Sequence, residues 1–577
     1  MNEIKVVVGI DFGTSGTSYA FSYNNPKDIR VGRFINQGVE SKVPTQVILD
    51  SKLEKVLAFG NECDNYISSN GLFKNGELFF RKIKMNLYKG VHMIKPQNNS
   101  REYPLEDVIS KILEYIKEQS FKTIQDSNPK ITIEQIKYVV TVPAIWDLSM
   151  KGIMIRASEK AGLLNQKTDI LNFFALEPEA ASMYCLEEGE EKTIDQDCFN
   201  PGHSYIICDL GGGTGDIVTH CIDIDGNIIE KYPPIGGNYG SDEIDKEIFE
   251  KVLYELFGFK DYNSLEKKNN EIEKNQWEEE SLFYEWEKLQ EEIQKKKKIT
   301  ENLKDKDFLV NCQIFENFVD QNLKEIVEDY NSRCDERWKV TIKNEKIWLL
   351  SFPYNIFFDL IEEHSKKIIE QLNNIFEKVQ GIDGILYVGG YISNDILFNN
   401  IKKNFNLLHI RPSPPEIAVV KGAVLFGLNP DKIKIRIFPY TLGFNCDDFW
   451  DENIHGGKGT KYANEIDKSF LCLNSFHTFI KMGEAIPKNH SITHNFFTLN
   501  SRNLIIKFFK TQKNNPILWT EDGIELIGSD TIDLQKDYSI YERGLSVTLK
   551  FGGTYVEAKC IHYGSKIETN LVLYFIY

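Results

Sequence analysis

The stretch Asp209-Leu210-Gly211-Gly212-Gly213-Thr214-Gly215-Asp216 decides how the rest of the chain is read. Apolar runs flank it at 204–208 and 217–222, so it reads as a turn between two buried strands. Glycine lets the main chain bend close to an anion and aim several N–H groups at it. An aspartate at the strand end offers a carboxylate to a metal ion through its water shell. About two hundred residues earlier the same design occurs, an internal repeat. There 4–10 (IKVVVGI) reads as a strand, Asp11-Phe12-Gly13-Thr14-Ser15-Gly16-Thr17 as the turn, and 17–23 as the returning strand. A single D-x-G-T turn is weak evidence, because Asp and Gly are common turn formers. Two in the same strand-turn-strand setting imply two similar lobes, each presenting one turn to a shared cleft.

Between the hairpins the pattern predicts a helix over 105–122, a strand over 137–142 and a helix near 153–161 capped by Gly162. After the second hairpin, 266–307 is rich in Glu and Lys, holds Trp277 and Trp286, and includes the run 295–298, which reads as long solvated helices. Apolar spacing through Phe357, Leu360, Ile361, Ile368, Ile369, Leu372 and Ile375 suits an amphipathic helix leading to a strand at 384–388 and the pair Gly389-Gly390. From 432 to 577 short alternating segments (IKIRIF, LIIKFFK, LSVTLKF, YVEAKCI, LVLYFIY) favour an all-β module.

At 577 residues the chain is too long for one core. Its 41% hydrophobic and 27% charged content is ordinary for a soluble globular protein. A net charge of −17 argues against coating nucleic acid, which rests on phosphate neutralisation. It does not exclude a nucleotide, which needs only local donors. Ten cysteines include no C-x-x-C pair, so neither a zinc site nor a dithiol motif is expected, and Cys208 and Cys221 read as small apolar strand residues. The N-terminal residues lack a basic-then-apolar secretory signal, and no apolar run reaches about 18 residues. The expectation is a cytoplasmic protein with no membrane span.

Taken together these segments resemble the 70-kDa heat-shock protein family. Asp11 to Ser15 and Asp209 to Asp216 look like its two phosphate loops, Val140-Thr141-Val142-Pro143-Ala144 like its connecting strand and hinge proline, and Glu177-Pro178-Glu179-Ala180-Ala181 like its N/E-P-x-A-A segment. Gly236-Gly237-Asn238-Tyr239-Gly240-Ser241-Asp242 and Val388-Gly389-Gly390 are similar to its adenosine-side loops, and Pro415-Glu416 through Lys421-Gly422-Ala423 to its closing helix. These matches keep the family's order from about 4 to 428. The phrases Val-Pro-Ala-Ile-Trp, Ala-Leu-Glu-Pro-Glu-Ala-Ala-Ser-Met-Tyr-Cys and Lys82-Ile83-Lys84-Met85-Asn86-Leu87 look most like the divergent type-12 branch.

The resemblance implies an α/β fold: a duplicated actin-like (ribonuclease H-like) two-lobed ATPase domain at 1–430. Lobe I would take about 1–203 plus 400–430, and lobe II about 204–399 with a charged helical insertion at about 255–345. A β-rich, sandwich-like substrate-binding domain without a helical lid would follow at 431–577. It further implies ATP or ADP and Mg²⁺ as ligands, with Asp11 and Asp209 holding the hydrated metal. Gly13, Thr14 and Ser15 would grip the phosphates, helped by Gly211, Gly212, Gly213 and Thr214. Glu177 would order water, with Asp216 in the same network, and the catalytic lysine falls at Lys82 or Lys84. On the adenosine side Gly237, Gly389 and Gly390 are implied. Glu292, Lys295 and Lys296 fit the family's E-x-x-K-R helix in one of several registers, a solvated helix face being the other reading. The family's stacking arginine is absent, and Tyr391-Ile392-Ser393 stands there.

Two features are set aside. Gly456-Gly457-Lys458-Gly459-Thr460 lacks P-loop spacing, and His455, His477, His490 and His494 are dispersed with no metal-binding pattern. Slow Mg²⁺-dependent ATP hydrolysis coupled to lobe closure and to a protein client or partner is the leading expectation. The alternatives are a nucleotide-binding scaffold with little turnover and, further off, a small-molecule kinase, for which no acceptor-site signature is present. An actin-like filament former would not need residues beyond about 430. The basic segment 431–436 stands where the family has an acidic-apolar linker, which puts docking of that linker in question, and neither a lid nor an acidic tail is expected after the β module.

Overall fold

The strand Val6–Phe12 is buried along all seven residues, as its β-branched run demands of a strand covered on both faces. It pairs in parallel with Ile136–Val142 and antiparallel with Gly16–Ser22, where Phe12 faces Thr17, so 13–15 form the connecting turn. The computed structural model describes residues 3–35, 37–38, 41–70, 76–98, 101–146, 148–164, 172–190, 199–259, 276–463, 468–497, 503–534, 538–539, 542–551 and 556–573.

The repeat read from the two turns extends to whole sheets. The first runs Phe174–Leu176, Ile136–Val142, Val6–Phe12, Gly16–Ser22, Arg30–Val31. The second runs Leu408–Ile410, Ile382–Val388, Ser204–Leu210, Gly215–Ile222, Ile228–Gly237. In both, three parallel strands are followed by two antiparallel ones. Asp209 pairs with Asp216 across the second hairpin and Leu210 with Gly215, so both ends of the quoted octapeptide sit on strands and only its middle turns.

After Leu408–Ile410, which belongs to the second sheet and so moves the return point past the expected 400, the helix Ala418–Leu428 packs on the first sheet. Its backbone approaches closely: a Cβ on Gly9 would lie 2.8 Å from the Val420 oxygen, and one on Gly422 would lie 1.7 Å from the Ala180 oxygen. Gly422 thereby lets this helix cross Glu177–Glu190 at backbone distance.

The helices Leu105–Ser127, Leu148–Lys160 and Asn355–Lys378 occupy the predicted stretches. The charged segment differs from its reading as solvated helix. Trp286, Leu289 and Ile293 on Gln276–Lys296 are buried at spacings of three and four, with Trp286 stacked on Tyr254 at 5.9 Å. The Glu/Lys abundance hid this apolar stripe. Nor is the insertion wholly helical, since Asp307–Asn311, Leu349–Pro353 and Thr341–Asn344 form a three-stranded sheet. Trp277 lies where no side chain is described.

The segment questioned as a linker is a strand. Ile433–Ile437 pairs in parallel with Ile228–Gly237 and antiparallel with Ala485–Pro487, widening the second sheet to seven strands. Its basic Arg436 is accommodated because Glu179 meets it with both oxygens, Nε to Oε1 at 2.6 Å and Nη2 to Oε2 at 2.9 Å. Beyond it stand a five-stranded sheet (Thr460–Ala463, Phe470–Ile480, Thr441–Phe449, Asn503–Thr511, Ile524–Asp533) and a four-stranded one (His490–Phe497, Gly544–Phe551, Val556–His562, Glu568–Leu573). No helix among the described residues is long and apolar enough to cross a membrane.

Candidate functional site

Each hairpin carries an aspartate one residue before the end of its first strand, so Asp11 and Asp209 arrive at matching places in the two sheets. The turns face one another across a recess lined also by Lys42, Lys84, Glu177, Asp216, Gly389, Gly390, Tyr391 and Glu416.

The first turn is held from outside. Thr45 Oγ1 donates to the Gly13 oxygen at 2.7 Å, and the Thr45 N–H to the Ser15 oxygen at 3.3 Å. Gly13 is required here, because a Cβ would sit 2.3 Å from the Gly16 oxygen. The second turn closes through the Gly211 N–H donating to the Thr214 oxygen at 3.1 Å. Gly389 reaches it with φ +92°, where a side chain would lie 2.6 Å from Asp209 Oδ1.

Of the five carboxylates that line this recess, Asp11, Glu177, Asp209 and Asp216 act on one another, and their surroundings differ. Asp11 accepts from Lys42 Nζ at 2.7 Å on one oxygen and from Thr141 Oγ1 at 3.3 Å on the other. Asp209 is buried beside Glu177, Asp216 and Asp11, and desolvation together with those charges pushes its carboxyl well above the usual range. Burial also raises Glu177, partly offset by Lys84. Asp216 is pushed up to about 7 by burial and by Glu177, although the Ala144 N–H donates to its Oδ2 at 2.8 Å. Its Oδ1 is buried without a hydrogen-bond partner. Four crowded oxygen-donor groups, one with an orphaned atom, match the hard-oxygen preference of a divalent cation such as Mg²⁺. The glycine turns beside them leave room for an anion that only bare backbone can approach.

The two lysines left open by the sequence separate clearly. Lys84 is buried on the helix Ile83–Tyr88, with Nζ 2.5 Å from Glu177 Oε1 and 5.4 Å from the centre of the Trp146 ring. Lys82 caps that helix in a left-handed conformation (φ 51°) and its side chain is exposed. A further cation, Lys42, had no motif to announce it: it reaches Asp11 because Lys42–Pro44 pairs with the returning strand of the first hairpin.

Across the cleft Ser15 Oγ donates to Asp242 Oδ1 at 3.0 Å, and the Asp242 N–H donates to the Gly212 oxygen at 2.8 Å. A Cβ on Gly212 would fall 1.6 Å from Ser15 Oγ, and one on Gly213 would fall 2.3 Å from the Met85 sulfur and 2.8 Å from the Thr14 side chain. Gly237 ends its strand paired with Gly215, beside Tyr239 and outside the recess lining. Glu292, Lys295 and Lys296 lie on the last turns of Gln276–Lys296 and do not line the recess either. The next lysine does approach this side: Lys297 Nζ is 2.6 Å from Asp245 Oδ2 and 3.1 Å from the Ser241 oxygen. Four consecutive lysines gave the sequence no means of choosing it. Tyr391 lines the recess edge, mostly buried and edge-on to His364.

No protein-family model matches the chain. Single proteins do. Heat shock 70 kDa protein 12A of Homo sapiens is 24% identical over an alignment covering 96% of this chain and 89% of that protein. Heat shock 70 kDa protein 12B of Homo sapiens is 22% identical, covering 92% and 84%. A chaperone protein HscA homolog of Rickettsia typhi is 23% identical, covering 76% and 61%.

Proposed function

We propose that this chain, a homologue of the 70-kDa heat-shock proteins similar to their type-12 branch along nearly its whole length, binds ATP with Mg²⁺ between its two glycine turns. Slow hydrolysis there is coupled through closure of the cleft to a protein client or partner at the C-terminal β-sheets. The reading rests above all on one observation: Asp11, Glu177, Asp209 and Asp216 converge with Lys42 and Lys84 on a recess walled by duplicated turns.

Phosphate oxygens are cradled by the N–H groups of 13–15 and 212–214, the Gly211 N–H being used to close its own turn. Asp11 and Asp209 would hold Mg²⁺, which would supply neutralisation of phosphate charge. Lys84 holds Glu177 in place and opposes the rise that burial imposes on its carboxyl, and Glu177 orients the attacking water. Asp216, anchored by the Ala144 N–H, keeps Oδ1 free for the same water network. Ser15 and Asp242 tie the two turns together when the cleft closes. Closure reaches the β-sheets along one helix, since Glu177 faces the recess while Glu179, two residues on, grips Arg436.

Calorimetric ATP and ADP binding followed by steady-state phosphate release tests this. Slow release that needs Mg²⁺ and disappears in Asp209→Ala is the expected result. Tight ATP binding with no release, indifferent to Glu177→Ala, would replace it with a nucleotide-binding scaffold. ATP consumption in step with phosphorylation of a sugar would make the protein a kinase.

A further inference from the structure

The histidines and cysteines of the β-rich region are dispersed in sequence, yet three of them and one aspartate bear on a single spot. Cys446 and Asp448 lie on Thr441–Phe449, and His477 lies on the adjoining Phe470–Ile480. The register pairs Phe444 with His477 and Cys446 with Ser475, so Cys446 and His477 are diagonal neighbours on one sheet face. The ladder slips between Cys446 and Asp448, a bulge that brings the carboxylate round to the same place. Asp448 Oδ1 is 3.9 Å from His477 Nδ1, and one ligand atom from each of the three residues lies within 4.8 Å of the others. In a tetrahedral site with bonds of about 2.0–2.3 Å, ligand atoms stand about 3.3–3.6 Å apart. The observed trio is therefore wider by no more than about 1.5 Å, within reach of rotations of the half-exposed Asp448 side chain.

The other face of the His477 ring is fixed independently. Its Nε2 lies 2.5 Å from Nδ1 of His494, on His490–Phe497 in the opposite sheet. A proton on Nε2 donated to His494 leaves the Nδ1 lone pair directed at Asp448 and Cys446. That is the arrangement by which a second residue fixes the tautomer and orientation of a ligating imidazole. Neighbouring groups are engaged elsewhere: Asp447 accepts from the Asn474 N–H at 3.0 Å and from the Tyr462 hydroxyl at 2.8 Å. His455 Nδ1 accepts from the Asp451 N–H at 2.9 Å.

We propose that Cys446, Asp448 and His477 bind a thiophilic divalent transition ion of the Zn²⁺ class, with solvent completing the shell and His494 orienting the imidazole. A thiolate, an imidazole and one carboxylate suit zinc and discriminate against Mg²⁺, which prefers oxygen donors alone. The bound ion joins two neighbouring strands of the five-stranded sheet and, through His494, the four-stranded sheet opposite. It clasps the two sheets near the exposed Phe449 and Phe470. This site is independent of the cleft and does not rest on the ATP reading.

Co²⁺ titration of the full chain in excess Mg²⁺, which fills oxygen-only sites, provides the test. A thiolate-to-cobalt charge-transfer band with tetrahedral ligand-field absorption, displaced by Zn²⁺, is expected. Cys446→Ser and His477→Ala should each remove the charge-transfer band or weaken Co²⁺ binding by about 100-fold or more, with circular dichroism verifying that each remains folded. His494→Ala keeps all three ligands, so its band should persist while Zn²⁺ affinity falls about 10–100-fold. The chain has other free cysteines, Cys472 and Cys560 among them. A band unchanged in folded Cys446→Ser would therefore assign the metal elsewhere and overturn the site, as would no band at all. Unaltered affinity in His494→Ala would overturn the orienting role of that residue.

Discussion

Lys84 Nζ lies 2.5 Å from Glu177 Oε1 across 93 residues of sequence, both side chains largely out of solvent. The pair joins the short helix Ile83–Tyr88 to the start of Glu177–Glu190, which also carries Glu179. Burial and the neighbouring Asp11 charge raise the Glu177 carboxyl, and Lys84 opposes that rise.

Lys84→Ala should therefore lower the phosphate-release rate by about 100-fold or more, the scale seen when a charge-stabilising group is removed from a reacting site. Lys82→Ala, two residues away but exposed, should stay within about twofold, as expected of an ordinary surface substitution. Single-turnover kinetics of the two variants side by side decide it. Equal losses would remove Lys84 from its special place.

Without nucleotide, stability should fall as pH rises. Asp216 is pushed up to about 7, and Glu230, which accepts the Ile437 N–H at 2.6 Å, to about 8, in both cases chiefly by burial. In the unfolded chain such carboxyls lose their protons near pH 4. Between about pH 4 and 7–8 the folded protein thus holds protons that the unfolded one has released, and rising pH favours unfolding. Thermal unfolding midpoints at about pH 5.5 and 8 should differ in that sense. Asp216→Asn should shrink the difference, and so should saturating Mg²⁺, which stabilises the ionised carboxylates.

Gly212→Ala should block the closed cleft, since the new methyl would overlap Ser15 Oγ at 1.6 Å and Ser15 Cβ at 2.6 Å. ATP affinity is expected to drop by about 10-fold or more, a loss of roughly 1.4 kcal/mol or above. Replacing Ser15 by Gly in the same chain clears both atoms and should restore part of the loss. Calorimetry on the single and double variants measures the rescue. No recovery would place the clash elsewhere.

Breaking the Arg436–Glu179 pair should cost more than deleting it. Both groups are mostly buried, at 19% and 4% side-chain exposure. Arg436→Met alone strands a buried carboxylate, at about 3–5 kcal/mol. Adding Glu179→Met removes that charge, and the double variant should be closer to wild type in urea unfolding. Proteolysis within 433–437 should follow the same order, as undocking frees the strand from Ile228–Gly237.

The two turns were legible because their chemistry is local. A glycine run with an aspartate near a strand end reads the same in any context, and its recurrence about two hundred residues later marked an internal repeat, whereas the shared strand order of the two sheets is visible only in the structure. The residues that surround the turns were less visible. Lys42 reaches Asp11 only through strand pairing, and the segment Val140 to Ala144 reads as a hinge until the Ala144 N–H is found on Asp216. The linker's basic residues pointed away from docking because their counter-charge, Glu179, lies 257 residues back.

The sequence by itself determined the duplicated hairpins, the aspartates at their ends, the glycine turns and the β-rich character of the region after 430. Each depends on neighbours a few residues apart. Tertiary structure alone decided which of Lys82 and Lys84 enters the recess, that Lys297 and not its neighbours meets Asp245, and that Cys446, Asp448, His477 and His494 converge across two sheets. A lysine's reach depends on where its strand or helix is packed, and a shared carboxylate's proton affinity depends on every charge buried beside it. Those are distances in space, which no spacing in sequence encodes.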